Sequence, residues 1–204
     1  MKKVLILGAS GQIAQLVEHE LADKVDMTLF LRNKNKLTNP NGKVIVGDAT
    51  NLEDLKSAMR GQDIIYSNLG PTYMAKMADA VVKAAIAENV QRIIWVATAG
   101  IYTEYLPGHQ QKMEAEYGKV SDAHSYMGDE RIGADIIDDS SLESTIIRPN
   151  ILTDEDEIQT IVTTQKNDNL LGGPVSRKTV AHFISELILE PNQHINESIS
   201  ISKQ

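Results

Sequence analysis

Gly8, Gly11 and Ala14 follow one another at three-residue spacing, directly after the apolar run Val4–Leu7. Small residues so placed let a strand turn sharply into a helix and leave main-chain N–H groups uncovered, a cradle for linked phosphates. Gly8 makes the turn, Gly11 admits a diphosphate with no side chain in the way, and Ala14 lets the helix pack close on the strand. The stretch Gly8-Ala9-Ser10-Gly11-Gln12-Ile13-Ala14 therefore points to a nucleotide site, with Gly8, Ser10, Gly11, Gln12 and Ile13 around the pyrophosphate.

The next candidate is Arg32, in Phe30-Leu31-Arg32-Asn33 at the end of the second apolar run. NAD-specific loops carry an acid there for the ribose hydroxyls. A guanidinium instead suits a 2′-phosphate, which it holds with two charge-assisted hydrogen bonds, with Ser10 and Lys34 placed to assist. NADP(H) is thus expected over NAD(H). Gly47-Asp48-Ala49 follows the third run, and Asp48 either accepts from an adenine amino group or caps the turn into a helix at Leu52. Asn68-Leu69-Gly70-Pro71 follows the fourth, where the chain passes the cofactor's ribose, which adds Ala49, Leu69 and Gly70 to the cofactor-binding candidates. Thr98 follows the fifth, in Val96-Ala97-Thr98-Ala99-Gly100.

Such residues work together only if strand ends converge on one edge. Short β-branched runs alternate with longer helical patterns, the signature of βαβ units and a parallel sheet. Strands are expected at Lys3–Leu7, Met27–Leu31, Lys43–Val46, Asp63–Ser67, Arg92–Val96 and Thr145–Arg148, with a last one near Ser198–Ser202. Helices are expected at Gln12–Ala22, Leu52–Met59, Tyr73–Glu88, within Asp122–Asp138, and at Thr179–Leu189, with Asn51 and Ser176 as N-caps. Met74, Met77, Ala78, Val81, Val82 and Ala85 recur at helical spacing and read as core. The expected architecture is α/β: a Rossmann-type doubly wound parallel sheet forming a single domain over residues 1–204. Residues 150–204 would contribute a small acceptor-side cap and the last strand.

Composition removes several function classes. The chain of 204 residues carries a net charge of −8 and no long basic run, so it repels a nucleic-acid backbone. It has no cysteine, which excludes disulfides and thiolate catalysis. No apolar run approaches a membrane span, and Gly8 cuts short the Lys2-Lys3 apolar start that otherwise imitates a signal peptide. A cytoplasmic monomer or homodimer acting on a small-molecule acceptor is expected. His109, His124, His182 and His194 lack metal-ligand spacing, so no metal site is expected, and no Gly-x-Ser-x-Gly elbow occurs.

The glycine loop, Leu31-Arg32, Gly47-Asp48, Trp95–Tyr102 and Ile147-Arg148-Pro149 resemble the atypical short-chain dehydrogenase/reductases. Within these the chain is most similar to the NmrA-like NAD(P)H-binding group that includes biliverdin IX-beta reductase (flavin reductase). The likeness extends over Val175-Ser176-Arg177-Lys178-Thr179-Val180-Ala181, which resembles the group's late helix start. It implies an NADP(H)-dependent oxidoreductase reducing a small flavin-, quinone- or carbonyl-type acceptor. The alternatives are a non-catalytic NADP(H)-binding redox sensor and, with less room for it after Pro149, an epimerase or dehydratase.

The catalytic pattern of the superfamily is incomplete. A Ser or Thr after the fifth strand is matched by Thr98, and a tyrosine four positions before a lysine is matched by Tyr126, but Glu130 stands in the lysine's place. A carboxylate there raises a neighbouring tyrosine's pKa instead of lowering it. Three roles are open to Tyr126: a proton donor without lysine, a wall on which the substrate stacks, or an ordinary half-buried helix residue. Reductases of this group rely mainly on the cofactor's hydride and on positioning, which tolerates Glu130. Tyr102, Tyr105 and Tyr117 fall where an acceptor pocket would be built.

Overall fold

The computed structural model describes residues 1–204. Apolar runs become the strands β1 (Lys3–Leu7), β2 (Asp26–Leu31), β3 (Lys43–Val46), β4 (Ile64–Ser67), β5 (Arg92–Val96) and β6 (Glu143–Pro149). They are followed by β7 (Leu152–Thr153), β8 (Ile161–Gln165), β9 (Val175–Ser176) and β10 (Glu197–Lys203). The helices are α1 (Gln12–Glu20), α2 (Leu52–Met59), α3 (Met74–Ala87), α4 (Pro107–Tyr117), α5 (Tyr126–Asp138) and α6 (Arg177–Leu189). The main sheet runs β3-β2-β1-β4-β5-β6-β10-β8, with every pairing parallel except β10 with β8. This is the expected doubly wound α/β arrangement. Its order reverses between β1 and β4, which opens a crevice at their carboxyl ends.

Alternating side chains of the central strands serve two cores. Leu5, Leu7, Ile65 and Trp95 pack under α2, α3 and α5 on one face. Val4, Ile6, Tyr66 and Ile94 pack under α1 and α6 on the other. Strands covered on both faces read as continuous apolar runs, which is why they stand out in the sequence. Asn51 caps α2 by accepting from the N–H of Glu53 and Asp54, and the Ser176 hydroxyl accepts from Thr179 N–H at the start of α6.

Two elements carry no such signal. In α4 only Gln110 is buried, so the helix has no apolar stripe to betray its period. β8 is an antiparallel edge strand with mixed exposure, rich in Thr and Gln. The chain after Pro149 thus extends the sheet through β10 and β8, while β7 and β9 pair separately beyond β6.

Arg148 fixes the segment between β5 and α4. Its guanidinium is fully buried and ion-paired with Glu104, and it also donates to the Ser198 hydroxyl and carbonyl, each at 3.1 Å. Burial draws Arg148 down to about 10, an effect opposed by Tyr102, whose ring lies 5.2 Å away. Removing one partner of a buried pair strands the other charge. Arg148→Ala is therefore expected to lose about 3–5 kcal/mol in denaturant unfolding. The paired Arg148→Met, Glu104→Leu variant should lose far less, because no charge is left unmatched.

Candidate functional site

The turn from β1 to α1 folds onto the end of β4. Gly8 sits at φ +74°, and a Cβ there would strike the Asn68 carbonyl oxygen. At Gly11 the space of a Cβ is taken by the Asn68 side-chain amide. The Tyr66 hydroxyl donates to Asn68 Oδ1 at 3.1 Å, which turns the Nδ2 end of the amide toward the loop. Gln15 Nε2 donates to the Ser10 carbonyl at 2.9 Å from within α1. No side chain caps α1, so the N–H groups of its first turn face outward beside these glycines. Helices α2, α5 and α6 use their own N-cap side chains, and α3 borrows Asp129.

A groove of about 490 Å³ runs from this turn along the carboxyl edge of the sheet. Gly8, Ser10, Gly11, Arg32, Asp48, Ala49, Leu69 and Gly70 line it together, as do Asn68, Thr50 and Met77. Three cations, Arg32, Lys36 and Lys76, border it against one carboxylate, Asp48. In a chain of net charge −8, that is a local reversal of sign. The main-chain N–H and hydroxyl of Thr50 donate to Asp48 at 2.8 and 2.9 Å and hold its carboxyl below the usual range, aided by Arg32 and Lys76. Asp48 therefore shapes the turn into α2 through one of its two carboxylate oxygens.

Other expected residues fall elsewhere. The Ile13 side chain is core and does not line the groove. The Gln12 side chain lies on the far side, in a shallow cleft with Asp154, Arg177 and Lys178. Lys34 starts a short 3-10 turn, and it is Lys36, two residues on, that reaches the groove. Lys76 carries no mark in the sequence, because a lone lysine in a helical pattern gains a role only where α3 lies beside the groove.

Thr98 and Tyr126 lie together, and neither lines the groove. Burial pushes the Tyr126 phenol well above its usual range, as does Glu130, while Thr98 acts in the opposite direction. Tyr117 lies tilted against Tyr126 with ring centroids 5.8 Å apart. Tyr105 is buried and donates to Asn150 at 3.1 Å. Tyr102 is drawn away from any acceptor space into a charged cluster, donating to Asp135 at 2.9 Å with Lys166 4.5 Å from its ring.

Adjacent carboxylates on α5 have different surroundings. Asp129 accepts from Met74 N–H at 2.8 Å and Ala75 N–H at 3.0 Å, capping α3 from the neighbouring helix. Gly133 permits the two helices to approach closely at Met74. That contact carries Glu130 into the interior, where it is 4% exposed and its Oε2 has no hydrogen-bond partner. Burial, with help from Asp129, raises Glu130 to about 8. Glu130 thus stands beside Tyr126 and raises its phenol, as the sequence leads one to expect, while its own burial favours the protonated carboxyl.

A carboxyl that binds its proton more tightly folded than unfolded destabilises the fold as pH rises between the two pKa values. Wild-type stability is expected to fall from about pH 4.5 to about 8 and then level off. Glu130→Gln, which cannot ionise, should match wild type near the acid end. At the alkaline end it should exceed wild type by on the order of a few kcal/mol in denaturant titrations at each pH.

Comparisons with known proteins agree with this geometry. The NAD(P)H-binding family profile matches residues 8–191. A Rossmann-fold NAD(P)-binding family protein from Shigella flexneri is 40% identical, with a TM-score of 0.84, covering 100% of this chain and 94% of that one. A short-chain dehydrogenase/reductase from Veillonella parvula DSM 2008, solved in complex with NADP, is 23% identical with a TM-score of 0.85, covering 99% of this chain and 94% of that one. ChuY, an anaerobillin reductase from Escherichia coli O157:H7, is 20% identical with a TM-score of 0.80, covering 99% of this chain and 97% of that one. The latter two likenesses are of fold. With its glycine turn, open helix start and full-length match, the chain belongs to the NAD(P)H-binding family.

Proposed function

We propose that this protein is an NADPH-dependent oxidoreductase that reduces a small flat acceptor of flavin, quinone or carbonyl type. The observation that carries the cofactor preference is the three-to-one excess of cations over carboxylates along the groove, in an acidic chain. In this reading the turn Gly8–Gly11 and the N–H groups of Gln12 and Ile13 hold the pyrophosphate, with Ser10 beside them. Arg32, joined by Lys36 and Lys76, holds the 2′-phosphate. Asp48 and Ala49 meet the adenine, Leu69 and Gly70 lie under the ribose, and Thr98 orients the nicotinamide end with Tyr126 beside the acceptor.

When bound, NADPH supplies the hydride. The protein's own contribution is orientation and a place for the accompanying proton. Family membership supports NAD(P)H as ligand, and reductases share the fold. A non-catalytic NADP(H) sensor differs in one outcome: it binds the cofactor and never turns it over.

Arg32→Ala is expected to weaken NADPH binding by about 1–3 kcal/mol while leaving NADH nearly unchanged, read by titrating each nucleotide against protein fluorescence. Equal losses for both nucleotides would remove the 2′-phosphate assignment. Wild-type protein should also oxidise NADPH steadily with menadione or flavin mononucleotide, and binding without turnover would favour the sensor.

A further inference from the structure

Glu130 has no structural task that its neighbours leave undone. Asp129 already caps α3, and Arg131 donates to Asp135 at 3.0 Å and to the Ile101 carbonyl at 3.4 Å. Glu130 instead lies one helical turn beyond Tyr126, almost wholly buried. Its Oε1 comes within 3.8 Å of where a Cβ on Gly70 would stand, just beneath the groove's lining. Its Oε2 has no partner at all. An unpaired buried carboxyl is costly, and an apolar residue of similar size would fill the space without that penalty.

We propose that Glu130 holds the proton that replenishes Tyr126 during reduction of an acceptor. This rests on the reductase reading. As hydride reaches the acceptor, the Tyr126 O–H bond breaks and its proton passes to the acceptor's oxygen. The phenolate then recovers a proton from the Glu130 carboxyl, one helical turn away, by way of a solvent molecule between them, which restores the phenol and leaves Glu130 ionised until it recovers a proton from bulk solvent. In sum, NADPH, acceptor and one proton give NADP+ and reduced acceptor.

The reason lies in the surroundings of Tyr126. A phenolate in this buried site is strongly disfavoured, and more so beside an ionised Glu130. A neutral Glu130 removes that repulsion and offers a far stronger acid, with a pKa near the working pH. The groups around the carboxyl are Asp129 and Tyr126 on its own helix, Thr98 beside Tyr126, the Tyr105 and Tyr117 phenols beyond it, and Met74 and Gly70 with no charge. Lys76 acts on Asp48 in the groove, and no cation lowers Glu130. Glu130 therefore works through Tyr126 as a positioning residue, with no contact to the acceptor.

The test compares wild type, Glu130→Gln and Glu130→Asp with menadione as acceptor. NADPH binding, read by fluorescence, should be retained in all three. Menadione reduction should fall by about a hundredfold in Glu130→Gln and recover in part in Glu130→Asp, which keeps an acid. The wild-type rate should decline as pH passes about 8, and Glu130→Gln should lack that limb. Infrared spectra at neutral pH should show a protonated carboxyl band in wild type that Glu130→Gln lacks. Wild-type turnover and an unchanged pH profile in Glu130→Gln would overturn the role of Glu130 alone, as would absence of the carboxyl band. Wild type that binds NADPH yet reduces neither menadione nor flavin mononucleotide would overturn the reductase reading itself.

Discussion

Asn68 lies against both glycines of the first turn, and the geometry of the groove depends on that contact. In a doubly wound sheet the helices after β1 and β4 leave on opposite faces, so their turns diverge and open a crevice. Here the end of β4 closes back on the β1 turn until the Asn68 carbonyl and side-chain amide occupy the space of two absent Cβ atoms. The glycines thus serve protein packing first. The same missing side chains leave the first backbone amides of α1 bare.

The other end of the site is governed by α5. Asp129 gives both oxygens to the start of α3, which locks the two helices in register and carries its neighbour Glu130 inward. Two carboxyls one residue apart therefore meet opposite surroundings. One is satisfied by N–H donors, while the other is buried without a partner for its Oε2, which raises its pKa. Tyr126 takes its character from the second.

Charge is distributed with similar economy. The chain is acidic overall, yet the outer end of the groove gathers Arg32, Lys36 and Lys76 from three different elements. Meanwhile the buried Arg148–Glu104 pair ties the segment after β5 to β6 and β10, so Thr98 sits on a braced loop. That bracing also draws Tyr102 and Tyr105 into structural hydrogen bonds, leaving Tyr117 as the aromatic neighbour of Tyr126.

The amino-acid sequence by itself determined the alternation of strands and helices, the central strands, the glycine turn and the position of Arg32. Each of these is a local matter: apolar runs of strand length, helical period and small residues at fixed spacing suffice. The edge strand β8 and helix α4 escaped because neither buries a regular stripe. Tertiary structure alone decided that Lys76 joins Arg32, that Tyr102 pairs with Asp135 and Lys166 and that burial raises the Glu130 carboxyl. Partnership and pKa depend on what surrounds a side chain in space, and residues distant in sequence supply those surroundings.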